Sequence, residues 1–148
     1  MKTRFLPAIA GLLFAASFAA GAHVTLAEPQ AAAGSTYRAV FRVTHGCNRS
    51  PVQEVVVEIP EGVRSARPMA KPGWTVSIEP SRVHWSGGRV DPAYFDEFVL
   101  LVKLPPAAGK LAWKTSQVCE QGRVDATEGF EITEPGHDRA QHHEGHGK

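Results

Sequence analysis

The stretch "YRAVFRV", Tyr37 to Val43, constrains the fold more than any other feature of the chain. Tyr37, Ala39, Phe41 and Val43 share one parity, and Arg38 and Arg42 share the other. Successive side chains on a strand point to opposite faces, so this alternation specifies a strand with one face on a core and one in water. The signature recurs between turn signals. Val55 to Ile59 is ended by Pro60-Glu61-Gly62, and Trp74 to Ile78 sets Trp74, Val76 and Ile78 on one side. Val83-His84-Trp85 runs into an expected turn at Ser86-Gly87-Gly88. Glu97 to Leu104 is an apolar run ended by Pro105-Pro106, and Leu111 to Val118 and Ala126 to Ile132 complete the set. About seven short strands at regular spacing, with Gly and Pro between them and almost no helical period, predict an all-β sandwich in one domain. Trp74, Trp85 and Trp113 alternate with apolar neighbours and are expected in its core.

Ahead of these strands lies a different kind of segment. Met1-Lys2-Thr3-Arg4 is short and positive, and an apolar, alanine-rich run extends from Phe5 to Ala20. This is the pattern of a secretory signal peptide, too short for a membrane span of about 20 strongly apolar residues. Ala20 and Ala22 satisfy the small-residue cleavage rule and predict a cut before His23; Ala19 and Gly21 satisfy it too, and a cut after Gly21 would leave Ala22 ahead of the histidine. The signal peptide is therefore expected over residues 1–22 and the folded domain over 23–134, in a protein exported to the periplasm or the extracellular space. Loss of Lys2 and Arg4 takes Lys plus Arg from 16 to 14, against 15 acids. No basic stripe is left, so nucleic acid is not an expected partner, and no second apolar stretch is long enough to span a bilayer.

Cys47 and Cys119 are the two cysteines, both in the exported part. In an oxidising compartment such a pair is expected as one disulfide, worth roughly 4 kcal/mol for a loop of this length. Thiolate ligation of a soft metal is the alternative, and two sulfurs without CxxC spacing argue against it. From Pro135 the chain reads "PGHDRAQHHEGHGK", with no apolar residue larger than alanine, and a disordered tail is expected over 135–148. Its His137, His142, His143 and His146 are secondary metal candidates on composition.

A mature chain starting at His23 has a property that no internal histidine shares. Its α-amine and imidazole Nδ1 can close one chelate ring on a metal, whereas inside a chain the main-chain nitrogen is an amide. Both groups titrate near neutral pH, so a metal can displace their protons. Nitrogen donors in a planar set favour Cu(II), which tops the Irving–Williams order; Zn(II) takes a tetrahedral set. His45 or His84, brought to His23, would make a two-histidine brace of the kind oxidative polysaccharide enzymes use. His45 sits beside the expected disulfide, and His84 lies on the solvent face of its strand between Val83 and Trp85. No nucleophile–base–orienter signature and no G-x-S-x-G context is present, and no enzymatic activity is expected.

Five segments in order carry a family resemblance. They are "HVTLAEPQAAAGSTYRAVFRVTHGC" (His23 to Cys47), "IPEGV" (Ile59 to Val63), "KPGWTV" (Lys71 to Val76), "WSGG" (Trp85 to Gly88) and "YFDEF" (Tyr94 to Phe98). Together, and reaching Cys119, they resemble the YcnI-like family of exported copper-binding domains over nearly the whole mature domain. The resemblance implies an immunoglobulin-like β-sandwich. It also implies a Cu(II) site called a monohistidine brace, in which the terminal histidine chelates through amine and imidazole and a carboxylate completes the shell. His23 matches the brace histidine. Glu28, the nearest acid in sequence, is the expected carboxylate, with Asp96 and Glu97 as alternatives. An odd offset of five puts Glu28 on the strand face opposite His23, so a bulge or the bend at Pro29 must bring it round.

The chain departs from the family pattern at two places. The family's tryptophan near the copper falls at Ala126 here, and the loop between Ile78 and Val83 is short. The expectation is an exported protein that binds Cu(II) through His23 and acts in periplasmic copper trafficking or homeostasis. Its expected partners are the copper ion and periplasmic copper chaperones or a membrane copper transporter. Two other classes remain open: a copper-dependent oxidative enzyme built on the same brace, and a metal-free interaction module.

Overall fold

The computed structural model describes residues 23–135. The expected signal peptide, residues 1–22, and tail residues 136–148, with His137, His142, His143 and His146, lie outside the described residues. Ten strands form: β1 (Val24–Leu26), β2 (Gln30–Ala32), β3 (Thr36–Val43), β4 (Val52–Glu58), β5 (Arg64–Pro68), β6 (Thr75–Glu79), β7 (Arg82–Val90), β8 (Asp96–Lys103), β9 (Gly109–Cys119) and β10 (Arg123–Thr133). A four-stranded sheet runs β1-β3-β8-β5, and a six-stranded sheet runs β2-β10-β9-β4-β7-β6. The expected all-β sandwich is what forms. No helix among the described residues is long and apolar enough to cross a membrane.

Alternation builds the core. Tyr37, Ala39, Phe41 and Val43 of β3 are buried while Arg38 and Arg42 are exposed. Aromatic pairs join the two sheets: Tyr37 with Phe130 at 4.8 Å, Phe41 with Trp113 at 5.4 Å and Phe98 with Trp85 at 5.5 Å between ring centres. Each such pair adds about 0.5–1.5 kcal/mol beyond the area it buries. Cys47 and Cys119 are bridged, which ties the turn after β3 to the end of β9.

The seven expected strands correspond to β3, β4, β6, β7, β8, β9 and β10. The other three are strands that periodicity does not reveal. β1 and β2 have three residues each, and β5 reads "RSARP", polar and at a sheet edge. The turn expected at Ser86-Gly87-Gly88 is not one; these residues lie inside β7. Val52 opposes Val90 while Glu54 opposes Ser86, so β7 carries extra residues against β4 and bulges there. Glycine is required at 88 because a Cβ would sit 2.1 Å from the Trp74 indole, which lies flat on this backbone. Trp85 and Trp113 are fully buried as expected, but Trp74 only packs against the core margin, and Ile78 is 62% exposed. Both belong to the margin because β6 is the edge strand and has no neighbour on its far side. The short loop at 78–83 is the β6–β7 hairpin, closed where Glu79 pairs Arg82.

The N-terminal segment determines where a metal site could lie. β1 pairs antiparallel with β3, from Val24 opposite Val43 to Leu26 opposite Phe41. Ala27 to Pro29 then carry the chain across, and β2 pairs parallel with the end of β10 in the other sheet. His23 therefore enters at the rim where β1 faces β10.

Candidate metal centre

His23 immediately precedes β1 and is half exposed. Its Nε2 lies 4.0 Å from Oε1 of Glu128, with 46% and 25% of the two side chains exposed. Glu128 comes from β10, where Val124, Ala126, Glu128, Phe130 and Ile132 share one parity and face the opposite sheet. Its register partner on β9 is Trp113, fully buried, whose ring edge meets Phe41. The acid can face inward because β1 is short and β10 lies near the sheet margin, so the carboxylate reaches the rim rather than the core.

Glu28 sits elsewhere. The β1–β3 ladder continues through the bond from Ala27 N–H to Val40 O, so Glu28 lies beyond the far end of β1 from His23. Five residues of extended chain span roughly 16 Å. There the Glu28 carbonyl accepts the Tyr37 hydroxyl at 2.5 Å. Burial, with the Glu28 charge as a second cause, pushes the Tyr37 phenol up to about 12. The structure does not bring Glu28 to His23.

The alternatives have their own partners. Asp96 accepts the Lys71 ammonium at 2.6 Å and Glu97 accepts the Arg42 guanidinium at 2.9 Å. Both sit on β8, with β3 between them and β1. His84 Nε2 faces Glu54 Oε2 at 2.8 Å on the outer side of the six-stranded sheet. The His45 carbonyl accepts Gln117 Nε2 at 2.7 Å beside the disulfide. Among the described residues no three His, Cys, Asp or Glu side chains gather as a metal-ligating group. The residue that sequence reasoning missed is Glu128, although "ATEGFEI" carried the signal: an acid on the parity otherwise held by Ala126, Phe130 and Ile132.

An imidazole nitrogen and a carboxylate oxygen 4.0 Å apart at an open rim are groups of the kind that Cu(II) favours. Nε2 is the ring nitrogen on the Glu128 side, and Nδ1 is the one that can close a chelate ring with the main-chain nitrogen of the same residue.

The sequence matches the domain of unknown function DUF1775 over residues 23–82 and 78–143. The chain belongs to the DUF1775 family, the YcnI family. Against the copper-binding protein CutI of Bacillus subtilis (strain 168), this DUF1775 chain is 29% identical over 138 residues, covering 88% of this chain and 67% of that one. In structure it is similar to a protein from Nocardia farcinica with an immunoglobulin-like fold, at a TM-score of 0.62 and 24% identity, over 78% of this chain and all of that one. A cohesin of ScaB from Pseudobacteroides cellulosolvens matches with a TM-score of 0.51 at 9% identity, over 81% of this chain and 97% of that one. These two likenesses describe the fold alone, and that fold is the immunoglobulin-like sandwich.

Proposed function

We propose that this DUF1775 protein binds Cu(II) as cargo at the rim between β1 and β10 and works in copper handling outside the cytoplasm. In this reading residues 1–22 are removed on export and His23 becomes the first residue. Its freed amine and Nδ1 take the metal, and Glu128, on the Nε2 side, is the carboxylate that orients the imidazole and is not itself a metal donor. The observation that carries the reading is the meeting of His23 and Glu128 at a half-exposed edge, in a family with a copper-binding relative. Cys47 and Cys119 are bridged and leave no free thiol, so the two donors His23 supplies are nitrogens and the site prefers the oxidised metal. A site open to solvent on one side can load and release its ion.

The test compares a chain beginning at His23 with one carrying a methionine ahead of it. The extra residue turns the amine into an amide and removes one of the two chelating donors. Cu(II) affinity is expected to fall by about 100-fold or more, equivalent to at least about 2.7 kcal/mol. Competition titration with a chromophoric chelator reads the constant, and electron paramagnetic resonance reads the donor set. Equal affinities for the two chains would end the proposal.

A further inference from the structure

The outer face of the four-stranded sheet carries a second feature, remote from His23. Register lines up three rows across β3, β8 and β5. Thr36, Lys103 and Arg64 form one row, and Arg38, Leu101 and Arg67 form the next. The third holds Val40 and Val99, with Met69 hydrogen-bonded through its main chain to Val99 just beyond β5. Arg38, Arg67, Pro68, Met69, Val99 and Leu101 line a groove of about 360 Å³. Its floor is recessed at Val99, which is 5% exposed although no strand or helix among the described residues covers it, while Met69 is 52% exposed.

Charge on this face is one-sided. The only acids in these four strands are Asp96 and Glu97, each already holding its own cation. Arg38, Arg64, Arg67 and Lys103 make no ion pair among the described residues. Arg64 and Lys103 even oppose each other in register, an arrangement that costs stability in a sheet. Folding alone gives no reason to collect like charges around an apolar trough.

We propose that this groove docks an extended acidic segment of a partner protein that carries an apolar side chain at one end. Acidic side chains meet Lys103, Arg64, Arg38 and Arg67, and the apolar one enters over Val99 beside Met69. Width selects this occupant. Arg38 and Arg67 stand one strand to either side of Leu101, so the trough is about 10 Å across, the room of one extended chain. A bilayer surface is too flat to reach a floor as recessed as Val99. Guanidinium groups also match carboxylates in bidentate geometry. The surface lies across β3 from β1, so a docked segment leaves the His23 rim open.

The test is a titration of the isotope-labelled chain, residues 23–148 with the disulfide formed, followed by amide chemical shifts. The probe is a short oligoglutamate peptide ending in leucine; its oligolysine counterpart and phosphatidylglycerol vesicles run in parallel. The expected result is saturable movement of the Arg38, Arg67, Val99 and Leu101 amides with the acidic peptide alone. The paired change R38E and R67E should weaken it at least about tenfold, since it reverses the charge meeting the peptide. R64E should weaken it too while raising the melting temperature, because it places an acid opposite Lys103. No movement with the acidic peptide overturns the proposal. So does movement at these amides with vesicles but not peptide, or unchanged binding in the folded charge-reversed chain.

Discussion

β1 is three residues long, yet its two ends differ in chemistry. At its start His23 meets Glu128, an acid delivered by the other sheet, and both side chains reach water. Beyond its end the Glu28 carbonyl accepts the Tyr37 hydroxyl, and Tyr37 is 6% exposed with its ring against Phe130. One end is an open pair of donors; the other is a closed plug. The difference shows that sheet-on-sheet packing, and not nearness along the chain, decides which acid comes to lie beside the histidine. A segment that leaves one sheet for the other makes a rim where it enters and a seal where it crosses.

The strongest way to break this comparison is to exchange the roles of the two acids. Glu128→Gln is expected to lower Cu(II) affinity of the chain beginning at His23 by about 10–100-fold, the usual effect of removing a carboxylate that orients a metal-bound histidine. Glu28→Gln is expected to leave that affinity within about twofold, because Glu28 lies beyond the far end of β1 from the imidazole, where its charge acts on Tyr37. Competition titrations on both variants read the result. A larger loss from Glu28→Gln than from Glu128→Gln would reverse the assignment and make the open end depend on the wrong acid.

The closed end makes its own prediction in pH. The Tyr37 pKa is raised from 10.0 to about 12 in the folded chain. The unfolded chain therefore gives up this proton first, and stability falls as pH rises between about 10 and about 12. The contribution is fully present below pH 10 and on the order of 2 kcal/mol is lost through that window. Tyr37→Phe removes the titrating group and should flatten this limb, at the cost of about 1 kcal/mol at neutral pH for the lost hydrogen bond. Urea unfolding midpoints of the two proteins from pH 8 to pH 12 check it. Parallel alkaline limbs would show that the buried hydroxyl does not carry the effect.

The sandwich was legible because its strands repeat a local rule. β3 alternates tyrosine, alanine, phenylalanine and valine against arginine, and a reader needs only parity to place each side chain. The disulfide was legible from compartment chemistry. The partner of His23 was not, because β10 reaches β1 only through the stacking of two sheets, which no local pattern encodes. Parity did mark Glu128 as an acid on an apolar face, but nearness drew attention to Glu28 instead. Ala126 belongs to the same inward row, which places the departure from the family's tryptophan one step along the strand from the acid at His23. β5 escaped notice for the opposite reason. Its arginines and proline serve an edge, and an edge strand needs neither alternation nor hydrophobicity.

The smallest expected effect sharpens the comparison from outside the described residues. In the proposed reading two regions offer imidazole to metal: the rim at His23, and the segment with His137, His142, His143 and His146. The rim joins an amine, an imidazole and a nearby carboxylate, whereas the second region offers side chains alone. Without a chelating amine these histidines should bind copper or zinc more weakly, and their value lies in being tethered. A tethered ligand can act at an effective concentration of up to about the millimolar range, so weak capture is expected to supply the tight site. A chain ending at Pro135 is expected to keep the Cu(II) affinity of the His23 site within about twofold, since nothing at that site is removed. It should lose the additional weaker equivalents seen by titration calorimetry, and its tight site should load more slowly when copper is limiting. Unchanged stoichiometry with unchanged loading kinetics would sink the role of the tail, and His23 would stand as the one histidine with a part in metal binding.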